Sequence, residues 1–182
     1  EMWNCTVRSF DGTNYSIYNQ DVLLMLNLDT NTALGENSTY TTDLGPYGNN
    51  GTIYGATSTT GQYLNALNFN GSNNVYIDLG SDPTLDTDGN LTIEAWVNPA
   101  ADTLSAVLDM AQEGTTIENY ALLIAPGTNT PKFYFQYNNG SWNQVDIDNF
   151  YALNTWQHIV ITSEDGLTTI YKNGTQITQQ QL

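Results

Sequence analysis

No window of the sequence spaces its apolar residues as an amphipathic helix would. The apolar runs are short and rich in β-branched and aromatic residues, with Gly/Asn turn signals between them. That pattern predicts an all-β fold, a jelly-roll sandwich of two antiparallel sheets with one face of each buried. Residues 1–20 are polar and irregular and form an N-terminal extension; 21–182 form the domain. Within it, "DVLLMLNLD" (21–29) is expected as a buried strand and 30–62 as a long loop region. Segments 63–71 and 74–80 should pair around Asn70-Gly71. Strands are expected at 91–99, 104–111 and 119–126, then a hairpin over 131–147 turning at Asn138-Asn139-Gly140. Strands 156–162 and 168–174 should join through Ser163–Gly166. Asn173-Gly174 is a type I′ signal that folds "TQITQQ" back onto 168–172.

Charge excludes several partners. Three basic residues, Arg8, Lys132 and Lys172, face nineteen acidic ones, for a net charge of −16. Such a chain offers no phosphate-binding surface, so nucleic acid is excluded as a partner, and an anionic membrane surface repels it. No window has the apolar length of a membrane span. Only 12% of residues are charged; Asn, Thr, Gly, Ser and Tyr replace them, the make-up of an extracellular or cell-surface β-protein. The single cysteine, Cys5, forbids an intrachain disulfide and in its polar setting suits a partner outside the chain. The sequence opens on Glu1 with no apolar leader before it, as a mature, trimmed or incomplete chain would. N-x-S/T acceptors stand at Asn4, Asn14, Asn37, Asn50, Asn70, Asn90, Asn139 and Asn173, several in turn contexts, and mark candidate N-glycosylation sites.

Catalytic chemistry finds little support. The only histidine, His158, follows Trp156 and precedes Ile159-Val160-Ile161, a run expected for a central strand covered on both sides. A histidine there is a packing residue, and Trp96, Trp156 and His158 are assigned structural roles. One histidine excludes a His-rich metal site, and no G-x-S-x-G elbow or Cys–His pair is present. Asp146 and Asp148 alternate on one strand as a solvated face. The loop 82–94 fails as an EF-hand, because its register puts Thr84 and Ala95 where carboxylates are needed. The chain is therefore expected not to be an enzyme. The strongest binding candidate is "KFYFQYNNGSW": Tyr134, Gln136, Tyr137, Asn139 and Trp142 combine rings that stack on sugars with amides that bond hydroxyls.

Three segments carry a family resemblance. "TTDLGPYGNNGTIYGATSTTGQYLNALNFNG" is similar to an Asp-x-Ser-Gly…Gly-x-x-Gly-Thr loop leading to a Gly-x-Ala-Leu-x-Phe-Asp-Gly strand. "LTIEAWVNP" resembles Phe-Thr-Ile-x-x-Trp-Val-x-Pro, and "NTWQHIVITSEDGLTTIYKNG" resembles Trp-x-His-Val…Asp-Gly…Tyr-Val-Asn-Gly. In this order, over about residues 21–175, they resemble the laminin-G-like members of the concanavalin A-like lectin/glucanase superfamily. The resemblance implies the two-sheet jelly roll and framework positions for Trp156 and His158. It also implies an extracellular adhesion or binding module, often for glycans, in some members with a rim Ca2+. For such an ion the place to look is Asp43 with the carbonyls of Asn49, Asn50 and Gly51. Asn70 stands where the family has aspartate, which weakens a metal site built there. Members continue past the Asn-Gly hairpin into a last strand, whereas this sequence stops at "TQQQL". The final strand is therefore expected to be missing or supplied by another segment or subunit.

Two functions follow. The first is a non-catalytic binding or adhesion module recognising glycan or an extracellular protein partner. The second is a glycosylated structural subunit of a filament, pilus or surface layer, a homo-polymer built by strand exchange.

Overall fold

The computed structural model describes residues 9–10, 15–16, 21–86, 90–110, 120–126, 132–138 and 142–182, with the backbone alone at 9–10, 15–16, 132–138 and 142. Two compact units divide the chain, residues 1–85 and 86–182. Almost all regular structure is antiparallel β, so the chain is all-β, of the sandwich class expected.

In the first unit β1 (Ser9–Phe10) pairs with β2 (Tyr15–Ser16). Strands β3 (Tyr40–Thr41), β4 (Gly51–Tyr54) and β7 (Tyr76–Asp78) form a sheet in the order β3-β4-β7, and β5 (Thr57–Thr60) pairs with β6 (Asn65–Asn68). Among the described residues of this unit, Ile53, Ala56 and Leu85 are the buried apolar ones. Gly51 is fixed by close approach: a Cβ there would lie 2.5 Å from Ile77 Cγ2 and 2.8 Å from Thr41 Cγ2.

Three expectations are corrected here. Segment 21–29 is not a strand; it makes one bridge, Leu26 to Asp43, and the backbone turns left-handed at Leu28 (φ 57°) and Thr30 (φ 57°). Positive φ at those residues cannot continue a ladder. The region 30–62 is not a plain loop, since it holds β3, β4 and β5. Segments 63–71 and 74–80 do not pair with each other: β6 pairs with β5 and β7 with β4. Polar Thr and Asn runs hide β5 and β6, and β4 is too short to show more than one inward apolar residue, Ile53.

The second unit is the sandwich proper. One sheet has the order β12-β11-β10-β9, from β9 (Ser105–Asp109), β10 (Tyr120–Ala125), β11 (Lys132–Asn138) and β12 (Trp142–Asp148). The other has the order β15-β14-β13-β8, from β8 (Leu91–Val97), β13 (Gln157–Glu164), β14 (Leu167–Lys172) and β15 (Thr175–Gln181). Their inner faces share one core: Ile93 of β8, Leu122 and Ile124 of β10, Val145 of β12, Ile159 and Ile161 of β13, and Ile170 of β14. Period-two alternation places each of them inward. The expected hairpins form. Asp165 (φ 49°) and Gly166 (φ 81°) turn β13 into β14, and Asn173 (φ 50°) and Gly174 (φ 77°) turn β14 into β15. Both carry the paired positive φ of a type I′ turn.

Candidate binding site

The hairpin β11–β12 runs in unbroken register from Lys132 opposite Asp148 to Asn138 opposite Trp142. Phe133 and Phe135 lie opposite Ile124 and Leu122 of β10, and Phe135 also lies opposite Val145. Leu122, Ile124 and Val145 belong to the core. Residues 133, 135 and 137 therefore occupy the inward rows, and 134, 136 and 138 the outward rows. Tyr134 stands opposite Asp146 and Gln136 opposite Gln144. Gln144 and Asp146 are exposed, and Gln144 Nε2 donates to Asp146 Oδ1. Of the sequence candidates, register brings Tyr134, Gln136 and Trp142 onto one outward face and sets Tyr137 in the inward row beside Asn143. Asn139 lies outside the described residues. The outward row of β10 holds two buried alanines, Ala121 and Ala125, around half-buried Leu123. Among the described side chains of this face, Gln144, Asp146 and Asp148 of β12 are exposed and polar.

The Trp156–His158 segment divides between two faces. Gln157, not the histidine, points inward; it is 3% exposed. Its Oε1 accepts the Ala152 N–H at 3.0 Å, and its Nε2 donates to the carbonyls of Ala152 at 3.0 Å and Thr155 at 3.1 Å. The side chain thereby holds the bend that precedes β13, with Trp156 half-buried beside it. His158 faces out, its ring 5.0 Å from that of Trp96 and its Nε2 2.8 Å from Glu94 Oε1. His158 and Trp96 are register partners on β13 and β8. The outer row of β13, with Val160 and Thr162, is half-buried rather than covered, a correction to the expectation of a strand sealed on both sides. Trp96 is 40% exposed. Sequence reasoning named Trp96 and His158 but missed Gln157 and Glu94; the alternation of β8 would have placed Glu94 beside Trp96.

The residues proposed for a cation meet, but through hydrogen bonds of their own. Asp43 is buried, and its carboxylate accepts the backbone N–H groups of Met25, Gly45 and Asn49, each at 2.8 Å. Asn50 Oδ1 accepts the Asp43 N–H at 2.9 Å. Asn49 Nδ2 donates to the Leu23 carbonyl and to Thr84 Oγ1, both at 2.9 Å. Gly51 opens β4. The carboxylate ties the 22–26 segment to the loop before β4. Among the described residues no group of three or more His, Cys, Asp or Glu side chains could hold a metal ion.

A second acidic arrangement went unnoticed in the sequence. Asp29 is 6% and Glu36 2% exposed. The Asn31 N–H donates to both, to Asp29 Oδ1 at 3.0 Å and to Glu36 Oε2 at 2.9 Å. Thr41 Oγ1 donates to Glu36 Oε1 at 2.9 Å. Burial first, then the nearby Glu36 carboxylate as acceptor and as charge, push the Asp29 carboxyl above the ordinary range. Burial alone would raise Glu36 as well, but the Asn31 N–H and the Thr41 hydroxyl outweigh it and hold Glu36 below that range. Neither residue sits in a recognisable motif, so only the fold brings them together.

Of the candidate glycosylation sites, Asn37, Asn70, Asn90 and Asn173 are exposed and Asn50 is half-buried. Asn4, Asn14 and Asn139 lie outside the described residues, as does Cys5. No helix among the described residues is long and apolar enough to cross a membrane.

A search of curated proteins finds no match by sequence. A solved structure of an S-layer domain-containing protein (residues 221–444) from Clostridium thermocellum ATCC 27405 superposes with a TM-score of 0.55 at 19% identity, covering 87% of this chain and 71% of that one. At that identity the likeness is one of fold. A family model, the laminin-G-like model of the concanavalin A-like lectin/glucanases superfamily, matches residues 70–182. That span includes the whole two-sheet sandwich and well over half of the sequence, and the chain belongs to this superfamily.

Proposed function

We propose that the chain is a non-catalytic, extracellular binding module that recognises glycan on the outward face of β11–β12. The observation that carries this reading is the register that aligns Tyr134, Gln136 and Trp142 with exposed Gln144 and Asp146. An aromatic ring stacks on the apolar face of a sugar, and neighbouring amides and carboxylates bond its hydroxyls. Membership of a lectin-containing superfamily and the uncharged polar composition support the same reading. Titration of the full chain against a panel of neutral and basic oligosaccharides, followed by tryptophan fluorescence and calorimetry, tests it. Binding that disappears in Tyr134→Ala and Trp142→Ala, with the melting transition retained, is the expected result. Silence across the panel, or binding indifferent to both substitutions, sinks it.

One observation favours a second reading, a structural subunit of a surface layer or filament. Among the described residues β15 has a neighbour on one side only, and its sequence, "TQITQQQ", carries no charge or proline to discourage a further strand. The fold-level likeness to the S-layer domain-containing protein is compatible with it. Light scattering on concentrated protein separates the two readings: growth into polymers that a lysine at Ile177 abolishes favours assembly, and a monomer at every concentration rejects it.

A further inference from the structure

We infer that the outward face of the β3-β4-β7 sheet is a second binding platform, separate from β11–β12, and that its ligand is a neutral saccharide. Alternation sets this face. Thr41, Gly51 and Ile53 are buried and Ile77 is half-buried, so Tyr40, Thr52, Tyr54, Tyr76 and Asp78 point the other way, and all five are exposed. Register lines up Tyr40, Thr52 and Asp78 across the three strands and sets Tyr54 opposite Tyr76 in the next outward row.

The rings of Tyr54 and Tyr76 stack, with centroids 4.8 Å and planes 26° apart. Yet the two residues stay 43% and 47% exposed, and Tyr40 is 37% exposed. A cross-strand aromatic pair stabilises its sheet by covering apolar surface; this pair leaves close to half of its own in water. One exposed ring needs no explanation, but three on one small sheet face make a patch. Stacking also fixes the two rings before a ligand arrives, which lowers the ordering cost of binding.

Charge selects the ligand. The chain carries a net charge of −16, yet its longest uncharged run, residues 44–77, holds no Asp, Glu, Lys or Arg. All of β4 lies in that run, and β7 leaves it only at Asp78. A second copy would bring its own −16 toward the face and is repelled, as is any polyanion. A polycation would meet a single carboxylate on this face, Asp78, whose Oδ1 already accepts the Gly80 N–H at 2.8 Å. A neutral saccharide suits what is present. Its C–H faces lie against the rings, and its hydroxyls meet the phenols, the Thr52 hydroxyl and the Asp78 carboxylate. β3 and β4 precede residues 70–182, so most of this face lies outside the span that the family model matches.

Nitration of the full chain by tetranitromethane, read by peptide mapping, tests the platform. The probes are soluble neutral oligosaccharides of glucose, mannose, galactose and xylose. One of them, at about ten times its Kd, is expected to slow nitration of Tyr54 and Tyr76 about tenfold. Tyr63, 69% exposed between β5 and β6, should react at its unliganded rate. The same protection is expected in Tyr134→Ala/Trp142→Ala; protection that vanishes there overturns a separate platform. Unchanged nitration of Tyr54 and Tyr76 with every saccharide overturns the inference and leaves the β11–β12 reading standing. Nitration of the pair that slows with rising protein concentration, without sugar, places a second copy on the face and overturns it too. By calorimetry, Tyr54→Ala/Tyr76→Ala should lose about tenfold in affinity for the protecting sugar. Full affinity in that variant, once folded, refutes the proposal, and the nitration result decides where it does not fold.

Discussion

Asp43 Oδ2 accepts the backbone N–H of Asn49 at 2.8 Å, while Oδ1 of the same carboxylate accepts those of Met25 and Gly45. Three donors on one buried carboxylate make a charge-assisted knot, and each such bond exceeds a neutral one in strength. Asp43→Asn keeps the shape but turns an NH2 toward N–H groups. It should cost the first unit about 3 kcal/mol, since buried donors lose their acceptor. Urea denaturation measured with added Ca2+ and again with chelator checks the role. An equal loss in both marks a hydrogen-bond knot, and a loss confined to the Ca2+ condition marks a cation site.

Tyr151 donates its hydroxyl to Asp102 Oδ1 at 2.8 Å from a ring that is 4% exposed. Burial, then the hydrogen bond and charge of Asp102, push its phenol well above the ordinary value. An acid raised in the fold contributes fully below its unfolded value, about 10, and loses that contribution as pH climbs through the folded one. The second unit should therefore weaken above about pH 10, and Tyr151→Phe should weaken less steeply there. At neutral pH the same substitution should cost about 1 kcal/mol, because Asp102 is exposed and water takes the place of the hydroxyl. Denaturation at neutral and alkaline pH, with phenolate absorbance alongside, measures both effects.

The second unit was far more legible than the first. Its strands alternate apolar and polar residues because one face of each sheet meets the shared core, as Ile159 and Ile161 do on β13. Its turns carry Asp-Gly and Asn-Gly, which tolerate positive φ, so the hairpins β13–β14 and β14–β15 could be placed to within two residues. In the first unit β5 is "TSTT", exposed along its whole length, and no pattern announces it. The apolar run 21–29 misled for the opposite reason: Asp43 and a single bridge hold it, and it joins no ladder. Face assignment on β11 followed from alternation. The burial of Asp29 beside Glu36 could not, because it depends on a turn closing between them.

Gln157 offers a direct test of what the Trp-x-His segment does. Gln157→Ala leaves the Ala152 N–H and the carbonyls of Ala152 and Thr155 without their partner, and should cost about 2 kcal/mol. His158→Ala removes an outward ring tilted against Trp96 and should cost about 1 kcal/mol or less. Urea denaturation of the two variants should rank them in that order. The reverse order would place the structural weight of the segment on the histidine.

Glycan acceptance should follow the geometry of each asparagine. Asn37 Oδ1 accepts both the N–H and the hydroxyl of Thr39, each at 2.8 Å, and Asn70 Oδ1 accepts the Ser72 N–H at 2.9 Å. Both are Asx turns on exposed loops. Asn50 is half-buried, with its oxygen bonded to the Asp43 N–H. A glycan there would have to displace the Asp43 knot. Asn173 and Asn90 are exposed but use their oxygens on the His158 and Asp165 N–H groups, each at 2.9 Å, so their side chains are tied to turns of the second unit. Produced in a glycosylating host, the chain should carry glycan at Asn37 and Asn70, less at Asn90 and Asn173, and least at Asn50. Peptide mapping by mass spectrometry gives the occupancies. High occupancy at Asn50 in a protein that keeps its first-unit melting transition would show that the knot tolerates what its geometry forbids.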